Sequence, residues 1–293
     1  MYRDLLGGTR VKLGLHHHTT ASDGLKTPEE LTAIYRSAGY DAVALTDHWV
    51  FRQGGEIGGF PVLSGAEYHM QDRHLSNTVF HIVCLLSERE PELSLGAPPQ
   101  AIIDAVHAAG GLAVLAHPAW SLDKPEDIEK LSGIDATEIW NTTSGVGACR
   151  RPDSSLIVDM LARDGFYLPL LATDDCHCLG ARGVTDGPLA FIMAESDDLD
   201  PAHLREAIKR GSFYASTGPE VHLLREPDGR FHALCSPASE IIFSTNRSYS
   251  ALSVVTGENL TEAWYAPMPG ERYVRVTVND ARGRTAWSNP IIL

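Results

Sequence analysis

The chain reads Leu15-His16-His17-His18-Thr19-Thr20-Ala21-Ser22-Asp23-Gly24 near its N-terminus, after a strand-like run that starts at Val11. In an extended backbone, residues two apart point to the same side, so His16 and His18 can converge on one metal ion. Asp23 supplies a carboxylate shortly afterwards, whereas His17 either faces the other way or only reflects local composition. Imidazole and carboxylate are ligands that suit zinc, manganese or iron. The stretch therefore predicts a metal site.

Length and composition favour an ordinary soluble globular protein with one large and one small domain. The chain has 293 residues, of which 43% are hydrophobic and 21% are charged. No apolar run approaches the roughly 20 residues of a membrane helix, and the N-terminus lacks the apolar core of a signal peptide. Cys176 and Cys178 flank His177 too closely for an ordinary disulfide framework. We therefore expect a cytoplasmic protein without membrane association.

Acidic residues are concentrated in the larger part of the chain. The formal net charge is −14, and residues 219–293 contribute only −1 of it, with eight acidic and seven basic residues. The first 218 residues therefore carry −13, which argues against broad electrostatic binding of duplex nucleic acid. A phosphorylated small molecule or a short single-stranded nucleic acid remains compatible as a substrate.

A unit of helix, glycine and short apolar strand recurs along the first 218 residues. The predicted helices span 28–37, 100–109 and 154–164, and the strands that follow them span 42–46, 112–116 and 167–172. A shorter unit, 134–140, ends at Asn141. Such units are typical of α/β folds with parallel strands. In these folds reactive groups gather at the carboxyl ends of the strands, where His48, His117, Asp175 and His177 all lie.

Three further residues are candidates for the same site. Glu67 closes another apolar run, 62–66, and is a plausible bridging ligand. His81 lies inside the run 79–83, where a buried structural histidine competes with a metal ligand. His69, which we expect in a loop close to Glu67, is either a substrate contact or a solvated residue. The whole candidate set is too large for one tetrahedral zinc, and no cysteine has the spacing of a zinc finger. A cluster of two or three ions fits better.

From residue 219 onward, the helix, glycine and strand units give way to a different sequence pattern. Short β-type runs, including 221–224, 240–244, 250–255, 262–265, 273–278 and 290–293, are separated by turn signals such as Pro227-Asp228-Gly229. Regular short strands with turns between them predict a small all-β, sandwich-like module. We therefore predict two domains, 1–218 and 219–293, and assign no role to the second.

The ordered motifs resemble the PHP (polymerase and histidinol phosphatase) superfamily over about residues 10–218. The matching pieces, in order, are His16-x-His18-Thr-x-x-Ser22-Asp23-Gly24, Thr46-Asp47-His48, Gly65-Ala66-Glu67, His81, Ala116-His117-Pro118 and Asp175-x-His177. The resemblance implies a distorted (β/α)7 barrel with a trinuclear site for manganese, iron or zinc. By position, its ligands are His16, His18, Asp23, His48, Glu67, His81, His117, Asp175 and His177. One departure is Gly14, where many members carry aspartate.

This resemblance implies a metal-dependent phosphoesterase. Close metal ions would lower the pKa of a bridging water and neutralise phosphoryl oxygens. Asp47 would orient a ligand histidine through a hydrogen bond, and His69 is a candidate general acid. Arg150, Arg151 and Arg182 lie in loops after strand ends and are candidates for binding phosphate, although surface solvation explains any one of them as well.

Two other classes of function compete with this interpretation. An amidohydrolase-like enzyme that cleaves a C–N or lactone bond would use the same types of ligand and a similar barrel. It is disfavoured because no lysine between Lys26 and Lys124 is available to act as a carboxylated bridge. A metal-binding scaffold whose β module recognises a partner is the non-enzymatic alternative.

Overall fold

A computed structural model of the chain describes residues 1–70, 79–146, 150–183, 185–250 and 252–293. For Ala181 and Arg182 it describes the backbone alone. The strands of the first 218 residues are β1 (Tyr2–Arg3), β2 (Thr9–Gly14), β3 (Ala42–Ala44), β4 (Gly55–Ile57), β5 (Phe60–Leu63), β6 (Gly65–His69), β7 (His81–Leu85), β8 (Leu112–Leu115), β9 (Ala136–Asn141), β10 (Leu170–Thr173), β11 (Phe191–Glu195) and β12 (Phe213–Ser216). The helices are α1 (Pro28–Ser37), α2 (Pro99–Ala108), α3 (Pro118–Ser121), α4 (Pro125–Ile128), α5 (Ser155–Asp164) and α6 (Pro201–Lys209), with 3-10 turns at Thr143–Gly145 and Leu179–Arg182. None of the helices in these ranges is long and apolar enough to span a membrane.

Helix α1 shows how local sequence fixes an element. Thr27 Oγ1 accepts the N–H of Glu30 at 3.3 Å, while the Glu30 carboxylate accepts the N–H of Thr27 at 3.1 Å. This reciprocal pair satisfies two backbone donors at the helix start. Leu31 and Tyr35 lie one turn apart and are both buried. The helix therefore begins where the sequence predicts and packs one apolar face against the strands.

The strands form two sheets of mixed direction. Strands β2, β3 and β5 are parallel, as are β8, β9 and β10. By contrast, β7 is antiparallel to both β6 and β8, and β11 is antiparallel to β2 and β12. The prediction of parallel α/β units is thus correct for the two parallel sets and incomplete elsewhere. Because β7 runs in reverse, its first residue, His81, lies at the edge where its neighbours end.

The two sheets share one hydrophobic core, which includes Leu15, Leu85 and Leu171. At the edge that carries the strand ends, isolated bridges join His17 to Cys176 and His48 to Glu67. Among the described residues, no continuous ladder closes the two sheets into a barrel. The structure therefore confirms a mixed α/β architecture and does not confirm the distorted (β/α)7 barrel.

The described residues from 219 onward are all-β, as predicted. Their strands are β13 (Val221–Arg225), β14 (Phe231–Ser244), β15 (Val254–Tyr265), β16 (Tyr273–Asn279), β17 (Thr285–Ser288) and β18 (Ile291–Ile292). The long strand β14 pairs with β13, β15 and β16, and the runs predicted at 250–255 and 262–265 both contribute to β15. Strand β17 pairs with β12, so one sheet continues across the predicted domain boundary.

Candidate metal centre

Glu67 lies at the centre of a histidine cluster. Its carboxylate is 1% exposed and is surrounded by five imidazoles. Oε2 lies 3.1 Å from His18 Nε2, 3.1 Å from His48 Nδ1 and 3.3 Å from His16 Nε2, whereas Oε1 lies 2.7 Å from His81 Nδ1 and 3.4 Å from His117 Nε2. The two oxygens of Glu67 therefore face different sets of histidines.

Two aspartates extend this cluster. Asp175 Oδ1 lies 3.1 Å from His18 Nε2 and 3.4 Å from His16 Nε2. Asp23 Oδ2 lies 3.5 Å from His177 Nε2 and 3.8 Å from His48 Nε2. Ligand atoms converge in three overlapping groups: His16, His18, Glu67 and Asp175; His48, Glu67 and His81; and His18, Asp23, His48 and His177. These groups contain eight of the nine residues that the sequence motifs single out, and His117, the ninth, contacts Glu67.

Hydrogen bonds from the protein fix the orientation of several rings. His16 Nδ1 donates to Glu138 Oε1 at 2.7 Å, and His177 Nδ1 donates to the backbone oxygen of Asp175 at 2.7 Å. His117 Nδ1 lies 3.1 Å from Ser121 Oγ. With the protons of His16 and His177 held on Nδ1, the Nε2 atoms of these two rings can present a lone pair to the cluster.

The carboxylates and imidazoles of the cluster shift one another's pKa values. Burial lowers the pKa of His16, but the carboxylates of Asp175, Glu67 and Glu138 raise it well above its ordinary value. Burial raises the pKa of Glu67, but the surrounding imidazoles hold it well below its usual range. His48 differs, because burial lowers its pKa to about 4.

The donor set fits divalent metal ions. His48 Nδ1 and Asp175 Oδ1 are buried and make no hydrogen bond to the described residues, although each lies 3.1 Å from another ligand atom. The Nε2 atoms of His16 and His18 face each other at 3.2 Å. Buried polar atoms normally find hydrogen-bond partners, so His48 Nδ1 and Asp175 Oδ1, which make none to the described residues, mark where a cation would fit. Imidazole and carboxylate together suit zinc, manganese or iron.

Two of the ligand candidates adopt strained backbone conformations. His117 has φ of +28° and Asp175 has φ of +51°, in the left-handed region that residues other than glycine rarely adopt. Both follow directly on strand ends, where the backbone must turn while the side chain faces the cluster. Such strain is typical of sites at which function dictates side-chain position.

The turn that carries Asp23 requires glycine at the next position. Gly24 N–H donates to the backbone oxygen of Thr19 at 2.9 Å, which closes the turn back onto the strand end. A Cβ atom at Gly24 would lie 2.3 Å from the backbone oxygen of His18 and 2.7 Å from Thr19 N. Only a residue without a side chain allows this close approach.

Behind the cluster, His17 and Gly14 fit one another. The His17 ring is fully buried and points away from the other histidines, with Nδ1 donating to the backbone oxygen of Ala44 at 2.8 Å. A Cβ atom at Gly14 would lie 2.7 Å from His17 Cε1. The ring of His17 therefore occupies the space that an aspartate at position 14 would need.

Asp47 and His69, the predicted catalytic residues, occupy different positions from those expected. The Asp47 carboxylate is buried and accepts hydrogen bonds from Thr19 N, Thr19 Oγ1 and Ser22 Oγ at 2.7–2.8 Å. Asp47 therefore stabilises the turn that begins at Thr19 and does not orient a histidine ring. Its position shortly after β3 places its carboxylate beside the backbone of Thr19. His69 is the last residue of β6, not a loop residue, and its ring centroid lies 4.9 Å from those of His48 and His81.

The predicted phosphate-binding arginines are described only in part. Arg150 and Arg151 are exposed and follow the turn after β9, with Arg150 Nη1 lying 3.5 Å from the backbone oxygen of Gly145. The backbone of Arg182 ends the turn Leu179–Arg182 after His177, but its side chain lies outside the described part of the chain.

Glu138 is a functional candidate that the sequence reasoning missed. It lies in the middle of β9 and is buried. Besides His16 Nδ1, its oxygens accept hydrogen bonds from His117 N, Asn141 Nδ2 and Thr173 Oγ1 at 2.7–2.8 Å. A glutamate inside an apolar strand, three residues before a strand-end asparagine, is the only sequence signal that could have found it.

Known proteins resemble this chain in fold only. No family model and no curated protein sequence matches the chain. Among solved structures, a two-domain protein containing a predicted PHP-like metal-dependent phosphoesterase from Bacteroides vulgatus is 15% identical, with a TM-score of 0.53. The match covers 99% of this chain and 96% of that one.

Two further structures are similar over smaller parts of the chain. A Bifidobacterium adolescentis protein suggested to be a metal-dependent phosphoesterase is 18% identical, with a TM-score of 0.44, covering 68% of this chain and 96% of that one. An amidohydrolase from Chromobacterium violaceum, solved with bound sulfate and no metal, is 16% identical, with a TM-score of 0.42, covering 56% of this chain and 87% of that one. Over nearly its whole length, the chain is similar in fold to the two-domain protein from Bacteroides vulgatus.

Proposed function

We propose that the protein is a metal-dependent hydrolase of phosphoesters that uses two or three divalent ions. The observation that carries this proposal is the position of Glu67, a buried carboxylate with a different set of imidazoles at each oxygen. A structural zinc site closes around one ion with four ligands, whereas this cluster offers nine candidate ligands, of which Glu67 contacts five.

The number of ions that one imidazole ring can bind determines how the candidate ligands are shared among the ions. A neutral imidazole has one lone-pair nitrogen, so one ring serves one ion. The division that uses each histidine once places His16 and His18 with Asp175, His81 and His117 with Glu67 Oε1, and His48 and His177 with Asp23. Glu67 then links the first two groups through its two oxygens, and Asp23 defines the third.

When bound, such ions lower the pKa of water and neutralise the oxygens of a phosphoryl group. The residues of the chain determine where the substrate enters. His16, His18 and Glu67 are fully enclosed, whereas the side chain of Asp23 is 54% exposed and that of His48 is 22% exposed. The substrate therefore approaches from the side of Asp23 and His48, and the enclosed residues exclude bulk water from the opposite side.

His69 is the proposed proton donor to the leaving group. Its ring lies beside His48 and His81 at the end of β6, close to the ligands yet absent from all three ligand groups. A general acid matters most when the leaving group is a poor one. His69→Asn should therefore slow hydrolysis of an alkyl phosphate much more than that of p-nitrophenyl phosphate.

Arg150 and Arg151 are the proposed contacts of the substrate phosphate. Both lie after β9, whose end carries Asn141, and Asn141 Nδ2 lies 3.3 Å from Asp175 Oδ2. An exposed guanidinium near a strand-end site can bind a phosphoryl group in a bidentate manner. Arg150→Ala or Arg151→Ala should raise KM with little effect on metal content if that residue binds phosphate.

The substrate class is a phosphorylated small molecule or a short single-stranded nucleic acid. The concentration of acidic residues in the first 218 residues disfavours duplex nucleic acid. Metal-loaded protein should be assayed with p-nitrophenyl phosphate, bis-p-nitrophenyl phosphate, nucleotides and short oligonucleotides, with amide and lactone substrates as controls. We expect turnover of at least one phosphoester with manganese, iron or zinc.

His18→Ala provides the matched test of the site, with His203→Ala as the control. His203 is an exposed histidine on α6 that pairs with Asp198 at the surface. His18→Ala should abolish hydrolysis and reduce metal content, whereas His203→Ala should change neither. Turnover of the amide or lactone controls without any phosphoester turnover would replace the proposal with the amidohydrolase alternative.

A further inference from the structure

The loop that carries Asp175 and His177 also presents two thiols on its opposite face. Cys176 and Cys178 flank His177, and both line a cavity with Leu25 and Ile34 instead of joining the groups of ligand candidates. Their Sγ atoms lie 3.6 Å apart, and the N–H of Cys178 donates to Cys176 Sγ at 3.3 Å. The pair is therefore already in contact before any covalent bond forms.

The two thiols line a cavity that is separate from the metal centre. The cavity has a volume of about 500 Å³, and its walls include Leu25, Lys26, Ile34 and Asp186 in addition to the cysteines. Cys176 is buried, whereas Cys178 is partly exposed. A small oxidant can therefore reach Cys178 first, with Cys176 in place behind it.

Neighbouring hydrogen bonds couple this face of the loop to the metal centre. Asp186 accepts the N–H of His177 at 2.8 Å and the N–H of Leu179 at 3.0 Å, which fixes the backbone on both sides of Cys178. A disulfide has an S–S distance of about 2.05 Å, so bond formation must draw the two sulfurs together by about 1.5 Å. The only residue between them is His177, so its backbone must adjust.

We propose that Cys176 and Cys178 form a redox-modification site that closes to a disulfide when a peroxide oxidises it. Peroxide converts the Cys178 thiol to a sulfenic acid and releases one water. Cys176 Sγ then displaces the sulfenic hydroxyl, which leaves with the thiol proton as a second water. The dithiol loses two electrons, and the peroxide accepts them.

The disulfide itself does not depend on the proposed function, whereas its effect on the metal centre does. Closure moves the backbone of His177, whose ring faces Asp23. Oxidation should therefore reduce the number of metal ions bound per chain, through loss of the ion held by His177 and Asp23. A thiol reductant should restore that number.

Peptide mass spectrometry of the full chain after hydrogen peroxide treatment tests the disulfide directly. Trypsin releases both cysteines in one peptide, 164–182. In the wild type, the mass of this peptide should fall by about 2 Da on oxidation and return with dithiothreitol. The control variant Cys235→Ser, which changes a free cysteine of β14, should behave in the same way. Cys176→Ser and Cys178→Ser should show no such loss.

Two outcomes overturn the proposal. If both thiols stay open to alkylation after peroxide treatment, or if Cys178 oxidises to sulfonic acid without pairing, there is no disulfide site. If the disulfide forms but metal content stays the same in the oxidised wild type, the coupling to His177 is wrong. Neither readout requires turnover of a substrate, so the failure of the proposed hydrolase activity would be seen separately.

Discussion

At the scale of single residues, the buried carboxylate of Glu138 orients His16, a candidate metal ligand. Oε1 accepts hydrogen bonds from His16 and Thr173, and Oε2 accepts them from His117 N and Asn141. Each oxygen thus receives two donors, which fixes the carboxylate and, through it, the proton on His16 Nδ1. Outer hydrogen bonds of this kind commonly tune metal affinity.

Glu138→Gln should weaken metal binding roughly 10- to 100-fold with little change in fold. The amide nitrogen would face hydrogen-bond donors, and where it faces His16 Nδ1 it would move the ring proton to Nε2, the atom that faces Glu67 and Asp175. Metal titration followed by calorimetry measures the effect. Glu129→Gln, a change at an exposed glutamate, is the control. Equal affinities in the two variants would show that Glu138 does not orient His16.

The buried carboxyl group of Asp123 predicts how the free energy of unfolding depends on pH. It is 3% exposed, neither oxygen has a hydrogen-bond partner in the described part of the chain, and burial raises its pKa to about 8. The unfolded chain ionises this group near its ordinary value of 3.8, whereas the folded chain keeps it protonated. The folded state therefore loses roughly 1.4 kcal/mol of stability per pH unit between about pH 4 and about pH 8.

Asp123→Asn should remove this part of the pH dependence, because the amide does not ionise. Urea unfolding of the wild type and the variant at several pH values measures the slope, with Asp197→Asn at an exposed position as the control. A variant that keeps the slope of the wild type would contradict the burial of an unpaired carboxyl at position 123.

At the scale of elements, the ends of strands bring the site together. Most ligand candidates follow the carboxyl ends of parallel strands, but His81 begins β7. It reaches the same edge because β7 is antiparallel to its neighbours, with His81 opposite His69 in the register. One reversed strand thus supplies a ligand candidate from its start, whereas Glu67 lies within β6 and the remaining candidates follow strand ends.

Gly24→Ala tests the turn after β2. The added methyl group would meet the backbone of His18 and Thr19 at distances that require the turn to open. We expect loss of the ion that Asp23 helps to hold and a lower melting temperature. Gly55→Ala, at a glycine in β4 with open space around it, should change neither metal content nor melting temperature. Full metal content in Gly24→Ala would mean that Asp23 is not a ligand.

Local patterns predicted much of this arrangement. Short apolar runs that end in histidine or aspartate located the ligand candidates, because a strand end is encoded within a few residues. The direction of β7 was not predictable in this way, since it depends on which distant strand it pairs with. Glu138 was missed for a related reason: alternation along β9 cannot tell which face lies against the cluster until the neighbouring sheet is known.

At the scale of the whole molecule, the two parts of the chain share a sheet and a core. Strand β17 pairs with β12, and the Trp287 ring of β17 stacks on Trp140 of β9 at 5.8 Å. Trp287 is 1% exposed and belongs to the same hydrophobic core as the strands behind the metal centre. Composition and turn signals predicted an all-β C-terminal part, but not this continuity, because pairing between distant strands leaves no local signature.

Trp287→Ala should destabilise the protein by about 3–5 kcal/mol, the usual cost of truncating a buried tryptophan. Trp264→Ala in β15, where the side chain is 42% exposed, should cost about 1 kcal/mol or less. Chemical denaturation followed by fluorescence and circular dichroism measures both changes. Equal and small effects would show that residues 219–293 contribute little to the core behind the metal centre.

The most direct test of the proposed metal centre is the number of metal ions bound per chain in the wild type and in Glu67→Gln. Elemental analysis after metal loading and desalting provides that number. We expect two or three ions in the wild type and fewer in the variant, because Glu67 faces ligands of two neighbouring groups. A wild type that binds no ion, or a variant that retains every ion, would contradict the central claim.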